Sequence, residues 1–150
     1  MHKTILFSSI LSICLLMACQ ETLPVYHSYE EYPVYEGTDL GLTFTPEKAI
    51  FKLYAPPAAK AVLRFYEKGE GGQTTEEVQM KRKDNGIWEA AINRNLEGQY
   101  YTFQTLINDK WGEEVPDPYV KAVGVNGKRG QIIDFQKTNP ENWKNDQKGF

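Results

Sequence analysis

The chain has 150 residues, 17 basic and 20 acidic side chains, and a formal charge of −3. That is one domain's worth of sequence with room for a modest core. The absence of any basic stripe argues against nucleic acid as a partner and against electrostatic steering onto an anionic membrane.

In chain order, the first segment carries the marks of a secretory leader: Lys3, then an apolar run from Ile5 to Leu16 that is short for a membrane-spanning helix. Leu16-Met17-Ala18-Cys19 fits a bacterial lipobox, with an aliphatic residue three places before the cysteine and a small one just before it. The competing reading is an ordinary leader with a chance cysteine. The lipobox predicts a lipoprotein signal over 1–18 and diacylation of Cys19. The protein would then be held in the bacterial cell envelope, periplasmic or at the outer membrane and cell surface, by acyl chains contributing about 0.8 kcal/mol per buried methylene. Cys14 would leave with the leader and Cys19 would be blocked, so no disulfide or thiolate metal centre is expected. His27 is then the one histidine left, without a partner for a metal site.

Residues 19–46, with Pro24, Pro33, Pro46 and several tyrosines, show no sustained period and read as the lipidated cysteine and a tether. Short alternating runs follow. Strands are predicted at Lys48–Ala55, Lys60–Glu67, Glu77–Lys81 (a polar edge), Ile87–Ile92, Tyr100–Ile107 and Gln131–Phe135. Phe51, Leu53 and Ala55 share one face of the first. Ala61, Leu63 and Phe65 point inward from the second, Trp88, Ala90 and Ile92 share a face, and Tyr101, Phe103 and Thr105 point inward. Pro56-Pro57 ends the first strand, and Asp84-Asn-Gly86 and Asn108-Asp109 supply turns. No helical period and no internal repeat is present. The pattern predicts an all-β, immunoglobulin-like β-sandwich of about seven strands over 47–136, with 137–150 a linker.

Several runs resemble, in order, the N-terminal sandwich of type I pullulanases: Phe51-Lys-Leu-Tyr-Ala-Pro56, Gly86-Ile-Trp88, Gly98-Gln-Tyr-Tyr-Thr-Phe103, Asp117-Pro-Tyr119 and Gly124-Val-Asn-Gly-Lys-Arg-Gly130. These enzymes, of glycoside hydrolase family 13, cut α-1,6 branches of α-glucans, and the sandwich is of the carbohydrate-binding module 48 type. The resemblance implies an accessory, non-catalytic module serving a catalytic barrel that this chain lacks. It implies no cofactor. It also implies α-glucan (pullulan, starch or glycogen) as the ligand, because sugar rings stack on aromatic faces. In the Asn108-Asp-Lys-Trp111 segment, Trp111 matches one tryptophan of the platform of the family's glycogen-binding members, and Gln131 lies where those members place a sugar-bonding asparagine. The other platform tryptophan would fall in Glu67-Lys-Gly-Glu-Gly-Gly72, and an expected lysine is Thr102.

No catalytic residue is assigned. A glycosidase needs two carboxylates about 5–9.5 Å apart on a rigid frame, whereas Glu30-Glu31, Glu76-Glu77 and Glu113-Glu114 are adjacent pairs. Gly124–Gly130 fails as a phosphate loop, having Ala122 and Arg129 where glycine and Ser or Thr are needed, and Asn126-Gly127 reads as a turn. Trp88 reads as core and Trp143 as part of a seam with the barrel. Two other readings stand beside the accessory module: a stand-alone lipoprotein with an immunoglobulin-like protein-interaction domain, and a weak α-glucan-binding lipoprotein.

Overall fold

A computed structural model describes residues 23–141. The expectations for the leader, Cys19 and Trp143 lie outside the described residues. Nine strands are present among the described residues: β1 (Gly41–Thr45), β2 (Lys48–Tyr54), β3 (Lys60–Tyr66), β4 (Glu76–Gln79), β5 (Lys81–Arg82), β6 (Ile87–Ile92), β7 (Tyr100–Ile107), β8 (Lys110–Trp111) and β9 (Gly130–Gln131). The helical turns among the described residues are short 3-10 turns.

All ladders are antiparallel. One sheet has the order β1-β2-β6-β5, and the other β4-β3-β7-β8 with β9 also paired to β7. The two sheets form an immunoglobulin-like sandwich, as predicted. The inward residues follow the period-2 expectation: Phe51, Leu63, Phe65, Tyr101 and Phe103 are fully buried. Their rings meet edge-on, with centroids 4.9 Å apart for Phe51–Tyr101 and 5.6 Å for Phe51–Phe65. Burying each such side chain contributes about 1.5–3 kcal/mol, and each edge-on aromatic pair about 0.5–1.5 kcal/mol more. Trp88 is core, 5% exposed, and its indole N–H donates to the Ala55 carbonyl at 3.1 Å.

The predicted turns hold. Asn85 and Gly86 have φ of 55° and 72°, and Gly86 is required twice over, because a Cβ there would meet Pro56 atoms at 2.7–2.8 Å.

Three boundaries differ from expectation. The sandwich begins before residue 47: β1, within the segment read as tether, pairs along its length with β2 and turns Leu42 and Phe44 against the core. Its alternation was too short to stand out beside the preceding prolines. The polar third strand is two strands in two sheets. β4 pairs with β3, the chain crosses at buried Met80, and β5 pairs with β6. The last strand is shorter than Gln131–Phe135. Beyond β9, Ile132 exchanges backbone hydrogen bonds with Gly98 and Gln99 at 2.8 and 2.9 Å. The Asp134 carboxylate then accepts from the Gln136 N–H at 3.0 Å and turns the chain into a 3-10 turn over Phe135–Thr138.

Candidate functional site

Trp111 sits at the end of a two-residue hairpin. Asn108 and Asp109 both adopt positive φ, 50° and 58°, the mirror-type turn whose twist matches the flanking strands. Ile107 then pairs with Lys110 and Leu106 with Trp111. Since Leu106 also pairs with Lys60 of β3, Lys60, Leu106 and Trp111 form one row on the outer face, spanning about 10 Å over two strand spacings. Trp111 is 46% exposed, and Lys60 makes no ion pair among the described residues. Next to Trp111 the edge carries a bulge: Leu106 to Phe103 is bridged by Trp111 to Val115, one residue longer. The Gln104 amide steadies it by donating to the Gly112 carbonyl at 2.8 Å.

Gln131 pairs with Tyr100, at the other end of β7. Six residues separate Tyr100 from Leu106, so Gln131 and Trp111 are about 20 Å apart along the sheet edge. The structure does not bring them together. Gln131 instead lines a cleft of about 290 Å³ with Leu42, Phe44, Tyr119 and Phe135.

Between these two ends the outer face is occupied by the chain's own charges. Arg64 pairs with Glu77 on β4 and with Glu114, each at 2.8 Å. Glu114 also accepts hydrogen bonds from the Tyr66 hydroxyl and, at 2.8 Å, from Thr102. Burial pushes the Glu114 pKa up, but the Tyr66, Thr102 and Arg64 donors outweigh it and hold the carboxyl below its usual range. The Arg129 guanidinium lies 3.4 Å from the Tyr66 ring centroid and donates to the carbonyls of Lys68 and Gly71. Gly124–Gly130 is thus a hairpin-like loop, closed by the Val123–Gly130 bridge and turned at Asn126 and Gly127. It delivers Arg129 as a clamp on the Glu67–Gly72 loop.

Asp117 is 2% exposed. Its carboxylate accepts from the Tyr101 hydroxyl at 2.7 Å and from the Tyr119 backbone N–H at 2.8 Å. Burial raises its pKa, and the two donors pull against that rise. Gly41 and Gly130 leave space for this lock: a Cβ on either would come within 2.7 Å of Tyr119 and Tyr101 respectively. The Asp117-Pro-Tyr119 motif therefore holds the β8–β9 connection to the core.

Glu76 and Glu77 point apart, one to Arg94 and the other to Arg64, as adjacent strand residues must. No group of three His, Cys, Asp or Glu among the described residues is placed to hold a metal. The ladder partners of Trp111 and the roles of Glu114 and Asp117 were missed in the sequence. The spacing of Tyr26, Tyr29 and Tyr32 was a usable signal, since a three-residue period matches a 3-10 turn.

Comparison with known proteins gives the same fold. Residues 39–120 match the model of carbohydrate-binding module 48 (isoamylase N-terminal domain). The chain is 32% identical over 106 residues to a pullulanase of Bacillus subtilis, covering 71% of this chain and 14% of that protein. It is 31% identical to a 1,4-α-glucan branching enzyme of Fusobacterium nucleatum over 107 residues, 70% of this chain and 17% of that protein. The pullulanase of Paenibacillus barengoltzii, solved in complex with maltohexaose and α-cyclodextrin, superposes with a TM-score of 0.74 at 42% identity, over 79% of this chain and 18% of that one. The chain thus spans under a fifth of the length of these relatives. With more than half its residues matched to one module, on a sandwich of the same build, the chain belongs to the carbohydrate-binding module 48 family.

Proposed function

We propose that the protein is a non-catalytic accessory module in α-glucan breakdown, and that it contacts the glucan through Trp111. The observation that carries this reading is a half-exposed indole on the face of a family sandwich, fixed by a rigid hairpin and a bulge. A sugar ring lays its axial C–H groups on such a ring. Lys60, two strands away in the same row, is in reach of the hydroxyls of a sugar stacked there. Gln131 contributes at most to a separate contact. The Glu114–Arg64 and Arg129–Tyr66 cluster fills the middle of the face with satisfied groups, so binding by this module alone is weak.

Exposed Tyr119 and Phe135 on the Gln131 cleft, with Val123 and Val125 on the adjoining loop, form an apolar surface for a catalytic barrel of the same or a separate chain. Cys19, acylated, holds the assembly in the cell envelope; Cys19→Ser moves the protein from the membrane fraction to the soluble one.

Affinity electrophoresis in gels containing pullulan, amylopectin or glycogen tests the glucan reading. Retardation abolished by Trp111→Ala supports it. Free migration in all three polymers refutes it and leaves a purely structural module.

A further inference from the structure

The segment before β1 builds a cleft that the family platform does not account for. Tyr29–Glu31 forms a 3-10 turn, which stacks three tyrosines edge-on. The Tyr32 ring lies 5.0 Å from that of Tyr26 and 5.5 Å from that of Tyr29. The segment is pinned to the end of β2 by the Tyr54 hydroxyl, which donates to the Pro33 carbonyl at 2.7 Å. Between it and the sandwich lies a cleft of about 750 Å³, lined by Tyr26, Tyr29, Tyr32 and Tyr54 and rimmed by Asn108 and Asp109. That volume is in the range of ordinary ligand sites.

We propose that this tyrosine cleft is a second α-glucan contact, continuous with Trp111 across the tip of the β7–β8 hairpin. The inference rests on the glucan-binding reading and deepens it. Three observations select a neutral sugar chain as the occupant. The lining offers exposed ring faces, with Tyr29 82% exposed. Among the described residues its ionisable groups other than tyrosine reduce to Asp109, and none of them is a cation that would hold an anionic ligand. Asn108 and Asp109 make no side-chain hydrogen bond among the described residues, which leaves an amide and a carboxylate at the rim for hydroxyls. The same two residues form the turn that carries Trp111, so a glucan lying over the hairpin meets an indole on one side and tyrosine rings on the other.

The test is calorimetric titration of the full chain with maltohexaose, comparing wild type, Tyr29→Ala, Tyr29→Phe and Trp111→Ala. Tyr29 is exposed enough that its replacement leaves the fold intact. Losing one stacking ring is expected to weaken binding about three- to tenfold, with Tyr29→Phe restoring it. If Trp111→Ala weakens binding while Tyr29→Ala stays within twofold of wild type, the cleft proposal falls and the Trp111 site stands. If Tyr29→Ala weakens binding and Trp111→Ala does not, the cleft is supported and the primary site moves to it. Absence of any wild-type binding overturns both. Tyr29-dependent capture of a proline-rich peptide in place of maltohexaose overturns the choice of ligand.

Discussion

Tyr101→Phe isolates the buried lock at Asp117. The substitution removes one hydroxyl from a side chain with no exposure, next to a carboxyl that is 2% exposed, and leaves the aromatic contacts with Phe51 and Phe103 in place. With Asp117 ionised, the lost bond is a hydrogen bond to a charged group, about 1.5–3 kcal/mol; with Asp117 protonated it is a neutral one, about 0.5–1.5 kcal/mol. The pH dependence has a definite sign. Burial already raises the folded-state pKa of Asp117, so this group's contribution falls as pH rises from the unfolded value of about 3.9 through the folded one. Removing the Tyr101 donor raises the folded pKa further. The deficit of Tyr101→Phe therefore grows with pH through the window between the two folded pKa values and is complete above it. Urea unfolding followed by tryptophan emission at pH 4 and pH 7.5 measures this. A deficit of the same size at both pH values, or one below about 0.5 kcal/mol at pH 7.5, would refute the assignment.

Trp111→Ala is expected to abolish retardation in glucan gels while shifting the urea midpoint little, because the indole is half exposed. Gly86→Ala combines a left-handed backbone, φ 72°, with a contact at 2.7 Å on Pro56, and should cost about 2–4 kcal/mol in urea unfolding. Glu114→Gln probes a carboxyl whose pKa is shifted the opposite way from that of Asp117. The Glu114 pKa is depressed in the fold, so its contribution is present above the unfolded value of about 4.3 and lost as pH falls through the folded one. The difference between Glu114→Gln and wild type, followed by thermal melts, should therefore shrink on acidification; a difference that widens would contradict it.

Local pattern was sufficient for much of the fold. Alternation over Phe51, Leu63, Phe65, Tyr101 and Phe103 fixed the inward faces, since period 2 follows from backbone geometry alone. Asp84-Asn-Gly86 and Asn108-Asp109 turn where they should, because positive φ favours Gly, Asn and Asp whatever surrounds them. The rest depended on which segments meet. β1 is a strand because β2 offers it an edge, and the third strand divides because its two halves find partners in different sheets. Trp111 and Gln131 both border β7, but register puts them at opposite ends of it. The bonds from Glu114 to Tyr66 and Arg64 join residues 48 and 50 positions apart, and the tyrosine cleft closes between residues 23–32 and the Asn108–Asp109 hairpin. Periodicity tells a side chain which face it takes; strand register and the path of long connections decide what it finds there, and only the folded chain contains them.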